Sequence, residues 1–161
     1  MKFVHMASIC FLLLASPAFS QTHGEHGDHQ MMDASSGHNS MQMMNSQSIM
    51  LGEKTVDGIN GMAHLNDIGK MMSSMGRKEN FHFMMMLADA KSHAGIDQAT
   101  IAVKITEVKT GTTSEAIPLV GMGGHFGADI VLAGAGEYRF VVGTKLQDGS
   151  KRQFEFSYTV K

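Results

Sequence analysis

From Ile59 onward, apolar side chains recur at every second position in short runs, each closed by Gly, Asn, Asp or Ser. Period two puts alternate side chains on opposite faces of an extended chain, so each run reads as a half-buried strand. The spacing predicts strands over 59–67, 79–89, 100–108, 115–120, 128–132, 138–144 and 153–160. In the second of these, Phe81, Phe83, Met85 and Leu87 share one face and His82, Met84 and Met86 the other. The stretch 68–75 breaks the alternation, with Met71, Met72 and Met75 at near-helical spacing, and reads as a short helix or loop. Turns are expected at Lys109-Thr110-Gly111-Thr112, at Ala133-Gly134-Ala135-Gly136 and at Gln147-Asp148-Gly149-Ser150, the last joining a hairpin. About seven short strands with turns at this frequency predict an all-β domain over 56–161, an immunoglobulin-like β-sandwich without that fold's disulfide or tryptophan. A small barrel is the alternative.

Upstream the pattern vanishes. Residues 21 to about 50 carry no aromatic residue, no period and few branched aliphatics, which predicts a disordered His/Met-rich tail over 21–55. Residues 1–20 combine Lys2, the apolar run Ile9–Leu14 and the small-x-small end Ala18-Phe19-Ser20, and read as a cleaved export signal. Cleavage is expected after Ser20, with Ala18 the weaker alternative. The apolar run is shorter than the ~20 residues a membrane span needs. Export to the periplasm is the expected location.

Composition then changes the picture. The chain holds sixteen Met and nine His in 161 residues, with a single Cys and no Trp. Cys10 lies in the export signal, so the mature protein is expected to have no thiol chemistry. A formal charge of −2 gives no electrostatic reason for nucleic acid as a partner. Methionine fills irregular cores, yet that role fails in the hydrophilic tail, where His23, His26, His29 and His38 are joined by Met31, Met32, Met41, Met43, Met44 and Met50. Thioether sulfur is soft and suits Cu(I) or Ag(I), whereas imidazole also serves Cu(II), Ni(II) and Zn(II). A His/Met set without cysteine therefore points to copper before zinc, with silver or nickel as substitutes. In the tail, His23-x-x-His26-x-x-His29 offers several imidazoles to one ion. After cleavage at Ser20, His23 would stand third and could join the terminal amine in a square-planar Cu(II) or Ni(II) site, which cyclisation of Gln21 would abolish.

In the folded part the candidate metal ligands are His82 and Met84 on a strand, Met122 and His125 in the glycine-rich turn Gly121-Met122-Gly123-Gly124-His125, and His64 in Gly61-Met62-Ala63-His64. Glycine permits a tight path that can turn Met122 and His125 toward one point. His93 reads as a surface loop residue. Met71, Met72 and Met75 read as packing.

The segment His125-Phe126-Gly127-Ala128-Asp129, preceded by Met122 and followed by an Ala-Gly-Glu-Tyr turn, resembles the His-Tyr-Gly-Ala-Asn motif of periplasmic Ig-like metal-binding proteins that accompany bacterial iron permeases. That resemblance implies a β-sandwich carrying copper on His and Met, usually as a dimer, with His125 a ligand and Met122 and His82 the counterparts of the family's Met and strand His. Met122 lies nearer to His125 than the family's methionine lies to its histidine. The chain also resembles small YtkA/FixH-like and copper-resistance domains of the periplasm.

The expected function is a copper chaperone or buffer, with no catalytic residues: neither a Ser-His-Asp set nor paired carboxylates announce themselves locally. The rival readings are an accessory subunit delivering metal to an iron or copper transporter, and a structural domain with no physiological metal. The expected partners are a metal ion and a membrane transporter or metal acceptor.

Overall fold

The structure, a computed structural model, describes residues 48–161. The stretch 1–20 read as an export signal and the His/Met-rich stretch up to residue 47, with His23, His26 and His29, lie outside the described residues. Eight strands and one short helix follow: β1 Ser48–Val56, β2 Ile59–Asp67, α1 Gly69–Ser74, β3 Phe81–Asp89, β4 Ala99–Glu107, β5 Ile117–Gly121, β6 Phe126–Ile130, β7 Gly136–Leu146 and β8 Lys151–Val160. Among the described residues no helix is long and apolar enough to cross a membrane.

All strand pairs are antiparallel, in the order β1-β2-β3-β6-β5-β4-β7-β8. Strand β5 is the corner. It pairs through Ile117 and Leu119 with β4 and through Val120 and Gly121 with β6, carrying the sheet from one layer to the other. At the far edges β1 packs beside β8 with no ladder between them, and the Lys54 ammonium lies 6.0 Å from the centre of the Phe156 ring. The result is an immunoglobulin-like sandwich close to closure.

The alternation read from the sequence becomes the two faces of these layers. Ala63, Leu65, Phe83, Met85, Val103, Phe140, Val142 and Phe154 are buried between them. Phe83 from one layer and Phe140 from the other stack with centroids 5.4 Å apart and planes 11° from parallel. Gly61 is required by this packing: a Cβ there would stand 2.6 Å from Met85 Cε and 2.8 Å from Phe154 Cε1. At the start of β7, the Tyr138 hydroxyl donates to the Gly134 carbonyl at 3.0 Å and accepts from the Gly134 amide at 3.1 Å. A tyrosine fastened to backbone a few residues upstream is a hallmark of immunoglobulin-like sandwiches. It passed unread in the sequence because the bond belongs to a loop.

One expectation needs correction. The strand β1 runs through residues assigned above to the disordered tail, so the folded part includes Ser48 to Val56. Its period is hidden by a bulge between Met50 and Gly52, which shifts the register by one residue. Its apolar residues Ile49, Leu51 and Val56 are also only partly buried. His64 accordingly sits on the second strand. The hairpin between β7 and β8 turns where expected: Gly149 adopts φ 81°, and the Asp148 carboxylate accepts from the Ser150 hydroxyl at 2.6 Å and from its amide at 2.9 Å. These bonds hold the Asp148 carboxyl below its usual range.

Candidate metal centre

The side chains that do not enter the core of β2 and β3 make an outer face. Register fixes its rows. One row runs Met50, His64, Met84, Gly127, Val120, and the next Ser48, Asn66, His82, Asp129. A third pairs Met62 with Met86. Three imidazoles and several thioethers thus emerge on or beside one sheet surface because residues of equal parity on paired strands must face the same way.

His82 is the most firmly placed. Its Nδ1 lies 2.7 Å from Asp129 Oδ1, both groups being partly covered. The other Asp129 oxygen accepts from Arg77 Nη2 at 3.3 Å, and Arg77 also grips Glu79 at 3.0 and 3.2 Å. That hydrogen bond and the guanidinium charge hold the Glu79 carboxyl below its usual range. A carboxylate only accepts, so the neutral His82 ring places its proton on Nδ1 and leaves the Nε2 lone pair free. Nε2 faces Gly127: a Cβ there would stand 2.6 Å from Nε2 and 3.0 Å from Cε1. Any side chain at 127 would press on the free nitrogen.

His125 completes the pair. The β5–β6 turn is closed by a bond from the Met122 amide to the His125 carbonyl at 2.8 Å, with Gly123 at φ 63° and Gly124 at φ 94°. This path delivers the His125 ring edge-on to His82, centroids 6.5 Å apart and planes at 85°. With metal–nitrogen bonds of about 2 Å, two imidazoles sharing an ion have centroids roughly 5–6 Å apart.

The other predicted ligands are distributed unevenly. Met84 is half-buried between His64 and Gly127 in register, and the Asn66 amide points at its sulfur from 4.0 Å. His64 shares the face, with Nδ1 3.4 Å from Ser48 Oγ and a buried Nε2 that has no partner among the described residues. Met122 stands at the tip of the turn, 46% exposed. His93 lies in an exposed loop with φ 58°. Of the helix methionines expected to pack, Met72 is buried but Met71 and Met75 are exposed. Sequence reading missed Asp129 as the group that orients His82. The available signal was parity, since Gly127 and Asp129 sit two and four residues beyond His125.

No three His, Cys, Asp or Glu side chains among the described residues gather into a metal-holding group. Imidazole and thioether are the donor types this face presents, a borderline and a soft ligand respectively.

An immunoglobulin-like domain with an imidazole and thioether face is thus the class that fold and site define. No family model and no curated protein matches this chain. Among solved structures, a copper-bound variant of FetP from uropathogenic Escherichia coli shares the fold with a TM-score of 0.59 at 13% identity, over 70% of this chain and 97% of that one. FetP as isolated after expression in the periplasm gives 0.56 at 15% identity, with coverage of 70% and 97%. A DUF4426 family protein from Pseudomonas aeruginosa gives 0.52 at 11% identity, over 68% of this chain and 96% of that one. The likeness expected from the motif around His125 is met at the level of the fold.

Proposed function

We propose that this protein is a periplasmic copper carrier or buffer that holds Cu(I) on the outer face of β3 and β6, with His82 and His125 as its imidazole ligands and methionine thioethers completing the shell. The observation that carries this reading is the state of His82: Nδ1 is tied to Asp129 and Nε2 is free above Gly127 beside His125. A metal-binding histidine normally donates its other ring N–H to a carboxylate, a backbone carbonyl or water, which fixes the tautomer and makes the ligand more basic. Copper bound to FetP, on the same fold, supports the choice of metal. The pattern of residues 1–20, with Lys2, the apolar run Ile9–Leu14 and a small-x-small end, supports the location. An ion on an open sheet face favours exchange with a partner over catalysis, which needs a substrate-shaped pocket around the metal.

The test is an anaerobic competition titration of the mature chain against a chromophoric Cu(I) chelator, with Zn(II) run in parallel. The protein is expected to take up Cu(I) far more tightly than Zn(II). Asp129→Asn is expected to weaken Cu(I) binding about 10–100-fold through loss of the orienting carboxylate, with unchanged circular dichroism. Preference for Zn(II), or an Asp129→Asn protein that binds like its parent, contradicts the reading.

A further inference from the structure

Arg77 lies outside the ligand set, yet the chain fixes its place firmly. Helix α1 closes on a left-handed glycine: Gly76 has φ 72°, its amide donates to the Ser73 carbonyl, and the Arg77 amide donates to the Met72 carbonyl, both at 3.0 Å. Paired bonds of this kind commonly satisfy the last carbonyls of a helix, and buried Met72 anchors the turn. Three residues on, Asn80 is tied to the end of β6. Its amide donates to the Ile130 carbonyl at 3.0 Å, and its side chain accepts from the Leu132 amide at 2.9 Å and donates to the Leu132 carbonyl at 2.8 Å. The short loop between these two fastenings brings Arg77 to Asp129.

An exposed ion pair adds little to stability, and nearly half of the Arg77 side chain is exposed. Its effect on charge is a separate matter. Behind His82, the Asp129 carboxylate brings a full negative charge to a site whose own donors, imidazole and thioether, are neutral. A guanidinium is always protonated, and Arg77 Nη2 stands 3.3 Å from the Asp129 oxygen that His82 does not use. The carboxylate's charge is thereby offset while its bond to Nδ1 is left intact. An uncompensated carboxylate would favour a doubly charged ion over a singly charged one, because attraction scales with the product of the charges.

We propose that Arg77 is the residue that sets charge selectivity at this site: by offsetting Asp129 it shifts the preference toward Cu(I) and away from Zn(II). This rests on the metal site proposed above and names the group that tunes it. The guanidinium is two contacts from the His82 ring, on the order of 10 Å from an ion at Nε2. In partly solvated surroundings a unit charge at that distance changes the preference between ions of charge one and two by about two- to fivefold.

The test compares the mature protein with Arg77→Gln and Arg77→Lys, titrated anaerobically with Cu(I) and with Zn(II) against competing chelators. Uptake is read from the ring nitrogens of His82 and His125 by NMR, so that ions on the histidine-rich stretch are not counted. Measurements at about 0.01 M and about 1 M salt span screening lengths from about 30 to about 3 Å. At low salt Arg77→Gln is expected to raise the ratio of Zn(II) to Cu(I) affinity about two- to fivefold, with unchanged circular dichroism. Arg77→Lys, which keeps the charge but loses the planar fork, should stay near the parent. At high salt the three proteins should converge. An unchanged ratio in Arg77→Gln overturns the proposal. So does a rise shared by Arg77→Lys or undiminished at high salt, which would make Arg77 a purely geometric support for Asp129. If neither ion moves the His82 and His125 signals of the parent, the metal site itself fails, a result distinct from an unchanged ratio at a site that fills.

Discussion

Replacing His82 and His125 together with alanine is expected to weaken Cu(I) binding by more than about 100-fold while leaving the protein folded. Loss of an orienting neighbour alone costs about 10–100-fold, and this variant removes both imidazoles. The fold should tolerate it because neither residue belongs to the buried core. His82 faces outward from β3 between the buried Phe81 and Phe83, and His125 precedes β6 in the turn. His93→Ala, in an exposed loop, is the matched control and should bind like the parent. Competition titration of the three proteins, with near-ultraviolet circular dichroism as the check on folding, measures the effect.

The second large effect concerns stability. Phe83→Ala is expected to destabilise the domain by about 3–5 kcal/mol, because the ring is fully buried and stacked on Phe140 across the sandwich. For a domain of this size that lowers the melting temperature by roughly 10–20 °C. Phe83 also lies between His82 and Met84 on β3, so its face locks the strand that aims both outward. Thermal unfolding of apo-protein reads the first consequence. Cu(I) affinity measured well below the lowered melting point should stay within a few-fold of the parent, because the His82–Asp129 and Gly127 contacts lie on the opposite face of the sheet.

How much of this was legible in the sequence depends on what each feature rests upon. Strict alternation made β2 readable to the residue, and fixed which side chains of β3 face the core and which face outward. The strand β1 was hidden because a bulge at Gly52 breaks the period and because its apolar residues are only half covered. The short β5 was placed but its role was not: serving both layers is a property of the sheet order. His82 and His125 were singled out by residue type and parity, and the structure brings their rings together. Asp129 and Gly127 were visible only as parts of a motif. Their bearing on His82 depends on the β3–β6 register, a pairing of residues 47 positions apart that no local pattern encodes. Met122, which its glycine neighbours were read as turning with His125 toward one point, occupies the tip of the turn they build and is about half exposed.

The central claim is that the folded domain itself, and not merely its methionine-rich and histidine-rich flank, holds the metal between two particular imidazoles. Long-range proton–nitrogen NMR of the mature protein before and after one equivalent of Cu(I) examines this atom by atom. His82 Nε2 and one nitrogen of His125 are expected to shift strongly, while His82 Nδ1 keeps its proton and donates it to Asp129. Shifts confined to His23, His26 and His29, with the signals of His82 and His125 unmoved, would contradict it.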